Sequence, residues 1–208
     1  MKKEKRYYQD EAELAVENAL KSGINKLLLV MCTGSGKTHT AAKIIKNKGR
    51  VCWGTNTQEL IEQSAIALLA ELNLMPYDTL LFIIESHGGL LDLLRNAKQG
   101  GMFNDPATVI ISENIGIVKA ELFDIYKPIV VASMQTLHNR LDKIPSDHFG
   151  VVVCDEAHLF GANTFVKSLN HFTPKLLLGL TATPHRVDGM LLGDIFDEIV
   201  YEYDIGRG

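Results

Sequence analysis

The chain reads as an α/β protein with a mostly parallel sheet and helices on both faces. Short apolar runs rich in β-branched residues recur along its 208 residues, and most are continuous rather than alternating. Such runs suit strands covered on both sides. Between them lie stretches with helical spacing, and strands alternating with helices favour a parallel sheet.

Taken in order, "YYQDEAELAVENALKS" is a helix with Leu14, Ala15, Ala19 and Leu20 on its inner side. "KLLLVMC" and "RVCWGT" are strands flanking the helical stretch "KTHTAAKIIKN". "TQELIEQSAIALLAEL" is a helix presenting Leu60, Ile61, Leu68 and Leu72. The runs "TLLFIIE" and "ATVIIS" are expected as strands. The region from Met75 to Asn114 around them is expected to add a strand or helix with glycine-rich hinges. "PIVVAS", "GVVVCDE", "KLLLGLTA" and "EIVYEY" complete the set of strands. There is no internal repeat.

A hydrophobic content of 46% and a charged content of 22% are ordinary for a globular chain, and this length suffices for one sizeable core. No apolar run is long enough to span a bilayer, and "MKKEKRYYQD" lacks the apolar segment of a signal peptide, so a cytoplasmic location without membrane contact is expected. Cys32, Cys52 and Cys154 sit in or at the end of apolar runs and are expected as buried strand thiols. No Cys/His cluster has zinc spacing. The net charge of −4 neither demands nor excludes a nucleic-acid partner. Lys43, Lys46, Lys48 and Arg50 are expected on a solvated helix face.

Chemistry concentrates at "LLLVMCTGSGKTHT", residues 27–40. A strand, a glycine-bearing turn and a helix follow one another, which is the context of a phosphate-binding loop. Gly34 and Gly36 let the backbone N–H groups of Thr33 to Gly36, Ser35 included, curl toward an anion at a helix N-terminus. Lys37 would reach the β- and γ-phosphates of ATP, and the Thr38 hydroxyl would ligand Mg²⁺. Met31 stands where the general pattern has its first glycine. Without other motifs, a glycine-rich turn with an incidental lysine would be the competing reading.

The strand "GVVVCDEAHLF" ends in Asp155 and Glu156, which should face the same crevice. Successive strand residues diverge, so two roles suit them. Asp155 would hold Mg²⁺, and Glu156 would orient and deprotonate the attacking water.

"TGSGKT" at 33–38, "DEAH" at 155–158 and "LGLTATPHRVDGM" at 178–190 resemble motifs I, II and III of superfamily 2 helicases. The last has the form typical of the subgroup related to restriction-enzyme helicase subunits and DNA-repair helicases. The resemblance implies a RecA-like P-loop NTPase domain, and within that superfamily Met31 is an ordinary variant. "KRYYQ" at 5–9 is similar to an adenine-reading motif, which assigns Gln9 to the base edge and Arg6 to stacking on the ring. "TNTQELIEQ" and "VVASMQTLHNRL" resemble nucleic-acid-facing motifs, implicating Thr57 and then Ser133, Gln135 and Thr136. His158, with Thr181 and Thr183, would link the ATP site to motif III. DNA is favoured over RNA as the strand, by resemblance.

Residues 1–208 are thus expected as an N-terminal helicase ATP-binding domain, with an unusual stretch at roughly 76–113. These motors need a second RecA-like domain that supplies arginine fingers, and "YEYDIGRG" stands where the connection to it would begin. The chain is therefore expected to be a monomeric first half of a motor and a weak ATPase by itself. The alternative is a non-catalytic helicase-like domain that binds nucleic acid or a partner without turnover.

Overall fold

The computed structural model describes residues 7–55, 58–98, 105–159, 162–183, 192 and 195–204. Helix α1 (Tyr7–Lys21) precedes strand β1 (Lys26–Met31), helix α2 (Lys37–Ile45), strand β2 (Val51–Thr55) and helix α3 (Gln58–Glu71). Three more helices follow, α4 (Tyr77–Ser86), α5 (Leu90–Lys98) and α6 (Pro106–Asn114). Then come β3 (Ile115–Lys119), β4 (Leu122–Phe123), β5 (Ile129–Ser133) and α7 (Met134–His138). Strand β6 (Val151–Cys154), helix α8 (Ala162–His171), β7 (Leu176–Thr181) and β8 (Glu198–Tyr203) complete the order.

The strands form one eight-stranded sheet in the order β4-β3-β5-β2-β6-β7-β1-β8. Every pairing is parallel except the short β3–β4 hairpin. The central strands β1, β2, β5, β6 and β7 are buried along nearly their whole length, which explains why their sequences run apolar without alternation. On one face Ala12 and Val16 of α1, Ile44 of α2, Leu68 of α3, Leu80 of α4 and Ile111 of α6 pack over Leu27, Leu29, Trp53 and Val153. On the other, Met134 and Leu137 of α7 and Phe165 and Leu169 of α8 cover Leu28, Cys52, Val152 and Leu177. No described helix is long and apolar enough to cross a membrane.

Two expected strands are helices. "TLLFIIE" lies in α4, which starts after Pro76 and buries Leu80, Ile83 and Ile84 while leaving Phe82 73% exposed. That i, i+3, i+4 spacing is helical, and a short apolar run conceals it. "ATVIIS" lies in α6, where Asp105 caps the N–H groups of Ala107 and Thr108 and Pro106 occupies the first turn. Pro lacks only an N–H that the first turn leaves unpaired anyway. The described residues of 77–114 thus hold helices and no strand where an added strand was one expectation, with Gly88 and Gly89 at positive φ in the α4–α5 turn. The inner face of α1 also differs. It buries Tyr8, Ala12, Val16 and Ala19, whereas Leu14 is 55% exposed. Cys52 and Cys154 are buried strand thiols, and burial pushes the Cys52 thiol up to about 12. Cys32 departs from its expected burial, because it lies in the turn beyond β1 and is half-buried. Lys43 sits on the surface and bridges Asp10 at 2.6 Å and Glu13 at 3.0 Å, tying α2 to α1.

One glycine decides how β2 and α7 meet. A Cβ on Gly54 would lie 2.4 Å from Met134 Sδ, so this strand position must stay bare for α7 to start beneath it. Gly54→Ala is expected to destabilise the domain by about 1–3 kcal/mol through overpacking. Adding Met134→Ala should return part of that loss, because the two residues share one space. Denaturant titration of the single and double variants checks this, and strictly additive losses would contradict it.

Candidate nucleotide site

Strands β6, β7 and β1 are neighbours in the sheet, and all three point their carboxyl ends the same way. That edge receives, side by side, the acids after β6, Thr181 at the end of β7 and the glycine turn after β1. Open parallel sheets bind ligands at this edge.

Met31 has strand backbone, pairs with Tyr203 of β8 and is fully buried, so position 31 here requires a residue that packs. The curl begins one residue later. Gly34 (φ 81°) and Gly36 (φ 87°) adopt left-handed conformations that an L side chain resists. Ser35 closes the turn, donating to the Cys32 carbonyl from its N–H at 3.2 Å and its hydroxyl at 2.7 Å. Thr33 and Gly34 are exposed, whereas Lys37 and Thr38 open α2.

Lys37 reaches back over this turn. Its Nζ lies 3.4 Å from Glu156 Oε1, although the strands that carry them are separated by β7. Glu156 takes a positive φ of 49°, a costly conformation for a residue with a Cβ, and its N–H donates to Asp155 Oδ1 at 3.0 Å. That backbone turn sends two adjacent carboxylates in different directions. Asp155 is buried on the face that also holds Trp53 and Val153. Burial, reinforced by the Glu156 charge, pushes its carboxyl up to about 6, against the opposing pull of the Glu156 N–H, Lys37 and the Trp53 indole. The Trp53 Nε1 is itself buried without a closed hydrogen bond.

His158 joins the acids to the end of β7. Its Nδ1 lies 2.9 Å from Thr181 Oγ1 and 3.5 Å from Glu156 Oε2. Thr181 donates its one hydroxyl proton to the Thr183 carbonyl at 2.6 Å and accepts from the Thr183 N–H at 3.1 Å. With that proton spent, the Nδ1 of His158 must carry the hydrogen for the His158–Thr181 contact to be a bond.

Gln9 also reaches the turn. It is buried and donates from Nε2 to the Ser35 carbonyl at 3.3 Å. The structure thus gathers Gln9, Thr33, Gly34, Ser35, Gly36, Lys37, Thr38, Asp155, Glu156, His158, Thr181 and Thr183 at one edge. Ser133, Gln135 and Thr136 lie apart from them, at the β5–α7 junction beyond β2, with Gln135 exposed. Arg6, Thr57 and residues 184–190 lie outside the described residues. Two neighbours of the site went unread in the sequence. Trp53 stood only as part of the strand run "RVCWGT", because nothing in one sequence shows which strand lies beside β2. Tyr8 donates its hydroxyl to the Ser35 carbonyl at 2.9 Å, and its only signal was its place beside Gln9.

Comparison with known proteins gives this arrangement a family. The family model described as "Type III restriction enzyme, res subunit" matches residues 2–186, and the chain belongs to that family. An Escherichia coli relative, "Type I restriction enzyme EcoAI endonuclease subunit", is 27% identical over 215 residues, covering 99% of this chain and 22% of that one. A Saccharomyces cerevisiae protein named as an ATP-dependent helicase, IRC3, is 28% identical over 206 residues, covering 96% of this chain and 26% of its own length. The chain therefore spans about a quarter of the length of these relatives, at 22% and 26%. Among solved structures, the Pyrococcus furiosus Hef helicase domain superposes with a TM-score of 0.60 at 21% identity, over 95% of this chain and 38% of that one. The fold is that of RecA-like helicase domains, and the family includes helicase-type ATPases.

Asp155 yields a test of the site's electrostatics. With its pKa raised from 3.8 to about 6, the folded state keeps a proton that the unfolded chain releases between those values. Stability should therefore fall as pH rises through this window, by up to about 3 kcal/mol. Asp155→Asn should melt several degrees higher than the parent at neutral pH in the absence of nucleotide, with the gap closing near pH 4. A gap independent of pH in thermal melting would contradict the buried-charge account.

Proposed function

We propose that this chain is the first motor domain of an ATP-dependent nucleic-acid helicase or translocase. It binds Mg·ATP at the edge formed by β6, β7 and β1. It contacts a nucleic-acid strand, DNA rather than RNA, along the ends of β2 and β5. The convergence of the phosphate-loop lysine and the paired acids, with Lys37 3.4 Å from Glu156, carries the reading.

The left-handed glycines turn backbone N–H groups toward the anion, and Lys37 exchanges Glu156 for the β- and γ-phosphates. Among the described residues no group of three or more His, Cys, Asp or Glu is arranged to hold a metal. That suits Mg²⁺, which usually takes only one or two protein ligands and completes its shell with water and phosphate oxygens. Thr38 and the buried Asp155 would hold it, and when bound it would neutralise charge developing on the phosphates. Glu156, released from Lys37, is then free to orient and deprotonate the attacking water. Gln9 retains its amide oxygen and one N–H hydrogen for an adenine edge, with Arg6 stacking on the ring. His158, held on Thr181, transmits changes at Glu156 to the end of β7 and on to Thr183.

Ser133, Gln135 and Thr136, with Thr57, would meet the phosphates of the strand. With a net charge of −4, binding of single strands by this chain should be weak and should weaken further with salt.

Calorimetry separates binding from chemistry. Lys37→Ala should lose affinity for Mg·ATP on the order of a hundredfold or more, since charge-assisted bonds to two phosphates disappear. Glu156→Gln should bind at least as well as the parent. Equal affinity of Lys37→Ala and the parent would remove the site from this edge.

The chain alone should turn over ATP slowly, with little stimulation by single-stranded DNA. An arginine finger from a facing domain is worth on the order of 10³–10⁵ in rate. Supplying a second RecA-like domain, covalently or in trans, should restore turnover in a steady-state assay. Persistent inactivity with intact ATP binding would favour the non-catalytic reading instead.

A further inference from the structure

The phosphate loop is tied from behind by a closed circuit of contacts that the nucleotide chemistry itself does not use. The Ser35 carbonyl accepts from the Tyr8 hydroxyl at 2.9 Å. The Tyr8 ring stacks on Tyr203 of β8, with centroids 4.0 Å apart and planes 16° from parallel. The Tyr203 carbonyl accepts from the Cys32 N–H at 3.2 Å, and the Cys32 carbonyl accepts from the Ser35 N–H. Turn, helix α1 and strand β8 are thus joined in a ring.

We propose that Tyr8, backed by Tyr203, is a positioning residue that sets the Ser35–Gly36 peptide for phosphate binding. The inference rests on the nucleotide-site reading above and extends it to the loop's preorganisation. A trans peptide is planar, with its C=O and N–H pointing in opposite directions. A carbonyl of Ser35 held outward by Tyr8 therefore turns the Gly36 N–H inward, toward the space in front of Lys37. Gly36 has no Cβ to fix its conformation, and its φ of 87° is one of many a free glycine samples. On the α2 side its carbonyl is held by the Thr40 N–H at 2.9 Å and hydroxyl at 3.1 Å, and Tyr8 holds the preceding peptide on the other side. Gln9 contributes a longer contact to the same carbonyl, at 3.3 Å, but its amide is also committed to the base in the proposed function. Tyr8 is buried beneath the loop and spends its hydroxyl there, so its effect should be blind to the base.

The arrangement gives β8 a part in nucleotide binding. Tyr203 lies beside Met31 in the sheet, and it reaches the loop through both its ring and its carbonyl. A shift at the end of β8 would therefore be felt at the Gly36 N–H without any residue of β8 touching a phosphate.

The test is calorimetry of the 208-residue chain with Mg·ATP, Mg·GTP and Mg·tripolyphosphate. Tyr8→Phe, which keeps the ring and the stack, should weaken all three ligands by one common factor, about three- to tenfold. Tyr203→Ala, which removes the stacked ring, should also weaken all three. Gln9→Ala should weaken tripolyphosphate modestly and ATP further, because it loses base contacts as well. A cooperative thermal melt and a parental far-UV spectrum in Tyr8→Phe and Tyr203→Ala exclude a folding defect. Parental tripolyphosphate affinity in Tyr8→Phe would overturn the proposal, whether or not ATP binding changes. Parental affinity in Tyr203→Ala would overturn the backing role of the stack. Binding by the parent that does not depend on Lys37 would instead overturn the nucleotide site, and the brace with it.

Discussion

Lys37 and Glu156 meet across a strand that belongs to neither. Their own strands, β1 and β6, flank β7, and the contact exists only because all three run parallel and bring their carboxyl ends to one edge. Antiparallel neighbours would carry one of these groups to the opposite edge. The rest of the site follows from this geometry. The glycine turn lies within reach of the acids because β1 ends there, and His158 finds Thr181 because β7 ends between them. The helices on both faces supply the apolar cover that keeps β1, β6 and β7 buried, so the polar groups emerge only at the tips.

Holding those groups together has a cost that the fold bears elsewhere. Asp155 is pressed into an apolar face beside another acid, and Glu156 occupies a backbone conformation suited to glycine. Neither feature helps folding. Both persist because the surrounding packing overrides them, and such features cluster at functional sites. The Lys37–Glu156 pair occupies the same region, and each offsets the other's charge.

How much of this could be read in the sequence varied with the kind of information needed. Strands β1, β2, β5, β6 and β7 announced themselves as nearly continuous apolar runs, because burial on both faces leaves few polar positions. The same criterion misread α4 and α6, where an apolar run is one side of a helix packed on a crowded face. The Asp105-Pro106 pair and the Leu80, Ile83, Ile84 spacing were the local signals that outweigh composition. Within the candidate site, Lys37, Thr38, Asp155 and Glu156 stood out by residue type and spacing along one segment, and the fold brings them to one edge. Tyr8, Trp53 and Tyr203 were not. Their contacts arise from strands and helices distant in sequence coming together, and an aromatic residue in an apolar run looks like core until its neighbours are known. Met31 illustrates the converse. It breaks a pattern on paper, yet in the fold it is the last buried residue of β1, and the turn starts after it.

The central claim, that one edge of the sheet unites the glycine turn and the paired acids around a single phosphate group, is most directly tested by an experimental structure of the chain with Mg·ADP and a γ-phosphate mimic. Phosphates are expected against the N–H groups of Gly34, Gly36 and Lys37, the Ser35 N–H being held by the Cys32 carbonyl, with Lys37 turned from Glu156 toward them and the metal between Thr38 and Asp155. A nucleotide bound elsewhere, or Lys37 still paired with Glu156 while the phosphates lie outside the turn, would contradict it.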